Sequence, residues 1–357
     1  MNSTSIKATP GPDGSVLPRL PARPNRISYL TRIAKVYAHR SSGPLSFWYE
    51  KPLVNERAFE DGRQYFMRFQ GKAVYRGPFD IEGVPLLDYQ GDIGRQYNPI
   101  AIAQYGLARF NRWNETHAPH DEKAWMAAAN WLVRALRAND AGVHVWMHEF
   151  NWPYRELLRA PWYSGLAQGC GVSLLVRAAN ATGDWRFAKT AHQAFEACTR
   201  GIDTGGVLAR DLRGRTWIEE YIVSPPSHIL NGFIWALWGV YDYSRFTGGG
   251  SESGQLFDAC VSTIATALPE YDTGRWSLYE LPVGDPPSRN ARRRPGPKMP
   301  ASRYYHELHI VQLRVLQRMT GIATFGTVAD RWQRYLDDPV NRTRALVEKA
   351  AFKLLHY

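Results

Sequence analysis

Three short runs carry residue types capable of proton transfer. The first is Trp217-Ile218-Glu219-Glu220-Tyr221, followed by Ser227-His228-Ile229-Leu230-Asn231-Gly232-Phe233. It sets carboxyls and a phenol just ahead of a helix entered through Pro225, Pro226 and Ser227. Such groups can act as general acid and base beside a helix N-terminus, whose dipole favours negative charge. The plainer reading of the spacing is that Glu220 caps or pairs a helix end and Tyr221 is core. The second run, Trp276-Ser277-Leu278-Tyr279, reads by itself as an aromatic strand. The third is Arg303-Tyr304-Tyr305-His306-Glu307-Leu308-His309. His306 and His309 stand at i and i+3, but no carboxylate motif accompanies them, so a metal site is not expected and a structural or substrate-facing role is. Between the second and third runs lies the basic insertion Ser288-Arg289-Asn290-Ala291-Arg292-Arg293-Arg294, a solvated loop that could also steer a polyanion.

The elements that must position these runs are mostly helical. Apolar residues recur at helical spacing over 100–113 and 122–136, with a polar turn between them. The same order of helix, turn and helix returns at 162–179 and 185–198, at 229–246 and 255–268, and at 305–319 and 327–336. No single hairpin can bury its apolar faces alone, so the units are expected to pack together. A mainly α fold follows, an (α/α) barrel of about four helical hairpins over residues 99–357, with a stacked solenoid as the structural alternative. Long aromatic connections between hairpins favour the barrel, since they would line one open end. Ahead of it, residues 27–98 form an N-terminal segment with β texture. Tyr65-Phe66-Met67-Arg68-Phe69 and Ala73-Val74-Tyr75 flank Gln70-Gly71-Lys72, which predicts a β-hairpin with Gly71 supplying a positive φ. Residues 1–26, rich in Pro, Gly, Ser and Arg, read as a flexible basic arm.

Composition bounds the partner. The 357 residues hold 44 Lys plus Arg against 33 Asp plus Glu, a formal charge of +11, which favours an anionic partner. Nucleic acid rests on that charge alone and is the weakest candidate. At 44% hydrophobic the chain can bury a substantial core, so wholesale disorder is excluded. Cys170, Cys198 and Cys260 form no C-x-x-C pair, which argues against a disulfide scaffold or structural zinc and for a reducing compartment. No apolar run reaches the ~18–20 residues of a spanning helix, and no signal peptide is visible, so a cytoplasmic protein is expected. Walker A, G-x-G-x-x-G, H-E-x-x-H and G-x-S-x-G patterns are all missing, and Gly248-Gly249-Gly250 is a turn without a P-loop lysine.

The three runs, taken with others, resemble the D-glucuronyl C5-epimerase family, enzymes that convert D-glucuronate to L-iduronate within heparan-type polysaccharides. The resemblance is carried by Glu82-Gly83-Val84-Pro85-Leu86, Tyr97-Asn98-Pro99-Ile100-Ala101-Ile102-Ala103-Gln104-Tyr105-Gly106-Leu107 and Arg159-Ala160-Pro161-Trp162-Tyr163-Ser164-Gly165-Leu166-Ala167-Gln168-Gly169. It continues in Glu219-Glu220-Tyr221, Ser227-His228-Ile229-Leu230-Asn231-Gly232-Phe233, and Tyr305-His306 with His309-Ile310 and Gln312-Leu313. Order and spacing hold from about residue 80 onward. The resemblance implies an (α/α) barrel preceded by β structure, without the β-sandwich of vertebrate members. It places the catalytic roles on Glu220, Tyr221, Tyr279 and Tyr305 and a substrate contact on Asn231. His228, His306, His309, Tyr163, Gln168, Tyr97 and Arg289 complete the expected substrate-binding set. One departure stands out: the family has an arginine shortly after the tyrosine matching Tyr279, where it helps hold the uronate carboxylate, and here the run is Glu280-Leu281-Pro282. Arg289 or one of Arg292, Arg293 and Arg294 is the candidate replacement.

Epimerisation at C5 needs a base on one face of the sugar, an acid on the other, and groups that stabilise an enediolate. Glu220 and Tyr305 are the expected pair, with His306, His309 and nearby arginines as perturbers of the phenol and with Tyr221, Tyr279 and Asn231 orienting the carboxylate. Only a proton moves, so no cofactor is required. The expected partner is an anionic uronate-containing polysaccharide such as heparosan or heparan sulfate, and a homodimer accords with the family. A polysaccharide lyase shares the first step, and a non-catalytic acidic-glycan binder shares the recognition. A glycosidase ranks lower, because the matching runs offer Glu220 no obvious second carboxylate.

Overall fold

The computed structural model describes residues 47–281 and 298–356, apart from 61, 90, 250 and 251. The basic arm, the Pro282 position and the insertion that includes Arg289 lie outside the described residues.

Four antiparallel helical hairpins form the body: α1 (Pro99–Thr116) with α2 (Pro119–Ala135), α3 (Gly165–Thr182) with α4 (Trp185–Thr199), α5 (Leu230–Phe246) with α6 (Glu252–Tyr271), and α7 (Arg303–Thr320) with α8 (Ala323–Asp337). The first helices of the hairpins pack in series, α1 on α3, α3 on α5, α5 on α7, and form the inner layer of an (α/α) barrel. Their residues explain the layer: α3 and α5 are apolar on nearly every side, as helices enclosed on all faces must be. The second helices keep one polar face for solvent. Local signals fix the starts. Asn98 accepts from the amides of Ile100 and Ala101 with Pro99 in the first turn, Ser164 accepts from Ala167 N, and Ser302 accepts from Tyr305 N at 3.3 Å.

Helices α3 and α5 approach closely because Gly169 and Gly239 face each other; a Cβ on either would overlap the other helix's backbone. The buried pair Arg177–Asp242, with N–O distances of 2.6 and 3.0 Å, ties the same helices. The Arg177 guanidinium also donates to the carbonyls of Arg63 and Gln64 at 3.1 and 3.2 Å, so no part of that buried cation is left without partners.

These bonds draw the N-terminal segment into the ring. Asn111 of α1 accepts from Tyr65 N at 2.7 Å and donates to Met67 O at 2.9 Å, while Tyr65 and Phe69 stack on Trp235 of α5. Glu56 pairs with Arg318 of α7, and Arg57 with Glu115 of α1. The segment thereby bridges the first and last inner helices and closes the circle.

The hairpin expected around Gln70-Gly71-Lys72 is replaced by a one-turn helix, Gln70–Ala73. Phe69, not Gly71, takes the positive φ (48°), because burying Tyr65, Phe66, Met67 and Phe69 outweighs the cost of a left-handed non-glycine residue. Gly71 instead permits the Glu50 carboxylate to lie against it and accept from Lys72 N at 3.0 Å. A β-hairpin does precede the barrel, further along, as β1 (Leu87–Asp88) and β2 (Arg95–Gln96). Three more decorate the connections: β3 (Leu136–Ala138) with β4 (His144–Trp146), β5 (Trp152–Pro153) with β6 (Leu157–Leu158), and β7 (Leu208–Arg210) with β8 (Thr216–Ile218). A ninth long helix, α9 (Pro339–His356), unanticipated from the sequence, packs on α7 and α8.

Candidate active site

Strand β8 delivers Glu219 and Glu220 as neighbours with opposite fates. Glu219 accepts from the backbone amides of Ser227 and His228 at 3.1 and 3.0 Å and lies 2.5 Å from His228 Nδ1, so it is consumed in shaping the loop that enters α5. His228 adopts a positive φ (49°) and stacks on Trp217 at 4.2 Å. Its ring faces Glu219, making it part of the scaffold. Glu220 is buried as well, yet its Oε2 has no hydrogen-bond partner among the described residues. Its carboxyl lies directly on Gly232, in the first turn of α5. Burial lifts its pKa to about 8, opposed by a hydrogen bond with Tyr221 and assisted by repulsion from Glu280 and Glu219.

Tyr279 comes from an extended run. Its amide donates to Met299 O at 2.9 Å and its carbonyl accepts from Leu230 N at 3.1 Å, which ties the run to the start of α5. Two residues earlier, Ser277 Oγ lies 2.8 Å from His306 Nδ1 and 2.9 Å from His309 Nδ1. These contacts lock the run onto α7, and the rings of Tyr279 and Tyr305 meet edge to face at 4.8 Å. All of Tyr221, Tyr279 and Tyr305 have pKa values pushed well up, first by burial; Glu220 and then Tyr305 add to the rise of Tyr221 and Tyr279, and Tyr49 and then Glu220 to that of Tyr305. The four expected catalytic residues therefore share one electrostatic neighbourhood: an uncharged-leaning carboxyl among three protonated phenols. Tyr305 also interacts with Tyr279 by a hydrogen bond that partly offsets its rise.

Asn231 is buried beside this cluster with Oδ1 unpartnered among the described residues, while its carbonyl accepts from Gln312 Nε2 at 3.0 Å. The remaining expected contacts distribute differently. His306 is fully buried, sandwiched on Trp276 at 3.9 Å, with Nε2 on the Trp332 carbonyl at 3.0 Å and Nδ1 accepting from Ser277 N. Its pKa falls to about 3 by burial, and that of His309 falls well below the usual value for the same reason. Neither ring figures among the groups that shift Tyr305; both take Ser277 Oγ and so hold the Tyr279 run on α7. Nε2 of His309 is unpartnered among the described residues. Gln168 is held by the scaffold: its Oε1 accepts from Trp146 N at 3.0 Å and both its amide hydrogens go to the carbonyls of Ala194 and His144. Tyr163 packs with Val143, Val145 and Ala197 and against the main core, and Tyr97 stacks on Trp131 with its hydroxyl on Asp80.

Sequence reasoning passed over several neighbours. Trp162, adjacent to the chosen Tyr163, meets Tyr221 at 5.7 Å and stacks on His148 at 3.8 Å. Tyr154 packs on Tyr221 at 4.6 Å and hydrogen-bonds Glu280. Tyr49 lies 6.4 Å from Tyr305. Glu280 is the second carboxylate thought missing. It is held by Arg155 at 3.0 Å and by Tyr154, a setting for a paired anion rather than a glycosidase's water-activating base. No group of three or more His, Cys, Asp or Glu among the described residues could hold a metal ion. No described helix is long and apolar enough to cross a membrane.

The geometry now has a context. The sequence profile of the D-glucuronyl C5-epimerase C-terminus matches residues 139–334, more than half of the chain and the part that contains Glu220, Tyr221, Tyr279 and Tyr305. The chain belongs to this family. Among curated relatives, the D-glucuronyl C5-epimerase of Caenorhabditis elegans is 32% identical over 224 residues, 59% of this chain and 35% of that enzyme. An uncharacterised protein of Methanocaldococcus jannaschii is 29% identical over 278 residues, covering 72% of this chain and 85% of its own length. This chain thus spans only about a third of the worm enzyme but most of the archaeal protein. Solved structures with some likeness are a polysaccharide lyase (TM-score 0.40, 12% identity, 72% of this chain and 73% of the other) and the unsaturated glucuronyl hydrolase of Bacillus sp. GL1 (TM-score 0.39, 15% identity, 69% and 61%).

Proposed function

We propose that the chain is an isomerase that inverts C5 of D-glucuronate to L-iduronate within an acidic polysaccharide of the heparosan type. The observation that supports it best is the buried Glu220 carboxyl, with a pKa near 8 and its Oε2 unpartnered among the described residues, beside three phenols held protonated. C5–H is α to a carboxylate and only weakly acidic. A carboxylate made unusually basic by burial is a stronger acceptor for that proton than an ordinary one. Breaking the C5–H bond sends its electron pair into the uronate carboxylate and protonates Glu220. Tyr305, protonated at any ordinary pH, then donates to C5 from the opposite face, and Tyr279 hydrogen-bonds the phenolate that results. Tyr221 and the open Oδ1 of Asn231 orient the sugar. In the reverse direction the roles exchange.

The test is NMR of unsulfated heparosan incubated with the protein in D2O. Loss of the C5 proton with growth of iduronate resonances supports the proposal. An unsaturated, ultraviolet-absorbing product would identify elimination instead, and unchanged spectra with retained binding would identify a glycan-binding barrel.

A further inference from the structure

Deprotonating C5 places a second negative charge on the sugar's carboxylate, so a cation nearby is worth more in the transition state than in the bound substrate. Two described cations approach the tyrosine cluster. Arg155, in the turn between β5 and β6, lies 3.0 Å from Glu280 and 3.4 Å from the Leu281 carbonyl, and its charge is matched by that buried carboxylate. The other is Lys349 of α9, whose Nζ stands 5.4 Å from the centre of the Tyr279 ring.

We propose that Lys349 is the cation that receives the uronate carboxylate, carried over Tyr279 by α9. This rests on the uronate reading of the site. Lys349 is half-buried, and an ammonium that has shed part of its hydration on an aromatic face pairs strongly with an incoming anion. Burial brings its pKa down to about 7, with Lys353 adding repulsion and Glu280 opposing, so an arriving carboxylate restores the charged form. Residue 349 lies beyond the stretch 139–334 matched by the family profile.

Calorimetric binding tests the assignment without turnover. The probes are a heparosan oligosaccharide and the same oligosaccharide with its carboxyls reduced to alcohols. The wild-type protein is expected to prefer the carboxylated form. Lys349→Met should lose about tenfold or more in affinity for that form alone, and Lys349→Arg should recover most of it. Lys349→Gln provides the same reading should the methionine variant fold poorly. Equal losses for both probes, no loss for either, or a wild-type protein indifferent to the carboxyl would overturn the assignment. Absence of C5 exchange by the wild-type protein, read separately, would overturn the epimerase proposal and leave carboxyl recognition standing.

Discussion

The Glu220 carboxyl rests on the backbone of Gly232, so closely that a Cβ at residue 232 would overlap Oε2. The glycine is what lets the acid that follows β8 lie flat on the first turn of α5. Gly232→Ala should push the carboxyl aside and leave the helix intact. C5 exchange should fall by about 100-fold, since small misplacements of a reacting group are costly. A destabilisation of about 1–3 kcal/mol should accompany it in urea unfolding.

Glu220 also sets a pH signature on stability. Its folded pKa, about 8, lies above the ordinary 4.5, so between those values the native state holds a proton that the unfolded chain releases. Its contribution is complete below about pH 4.5 and is lost as pH rises through 8. Glu220→Gln removes the titration. Thermal melts should show the variant gaining on the wild type from pH 5 to pH 8.5, at up to about 1.4 kcal/mol per pH unit. The same variant should bind glycan and catalyse no exchange; a parallel pH dependence in both proteins would remove Glu220 from this role.

Tyr304 and Tyr305 are adjacent aromatics with separate tasks. Tyr304 packs on Tyr49 at 5.0 Å, whereas Tyr305 meets Tyr279. Tyr305→Phe should lower the rate by about 10²–10⁴-fold, the usual weight of a general acid. Tyr304→Phe should stay within a few-fold of wild type. Comparable rates for the two variants would contradict the division of labour.

His306→Ala and Gln168→Ala should act on stability. Each strands several buried partners, the Trp332 carbonyl and Ser277 in one case and three backbone groups in the other. Losses of about 2–4 kcal/mol in denaturant titrations are expected, with KM for the glycan nearly unchanged in whatever folded protein remains.

The helical hairpins were legible because apolar spacing is a direct image of burial; the caps at Asn98, Ser164 and Ser302, which set the exact starts, were not read from the sequence. The run 65–75 was misread because residues buried on both faces leave no alternation to distinguish strand from turn. Glu220 and the tyrosines stand in recognisable runs. His306, Gln168 and His228 occur in the same runs, but sequence does not reveal that their polar atoms are taken by backbone and by neighbouring side chains. Trp162 was missed by one position, and Lys349 looks like any lysine on an amphipathic helix. Its significance depends on where α9 docks.

The bridging of α1 and α7 by residues 49–73 bears on how the protein is made. Tyr49 and Lys349 both address the Tyr279–Tyr305 pair, one from each end of the described chain. A ribosome delivers the first of these long before the second. Until α7 and α9 emerge, the aromatic run 65–69 can hold α1, α3 and α5 but has nothing to shut the circle against. Nascent chains arrested before α7 should therefore expose apolar surface to chaperones, and C5 exchange should appear only once α9 is complete.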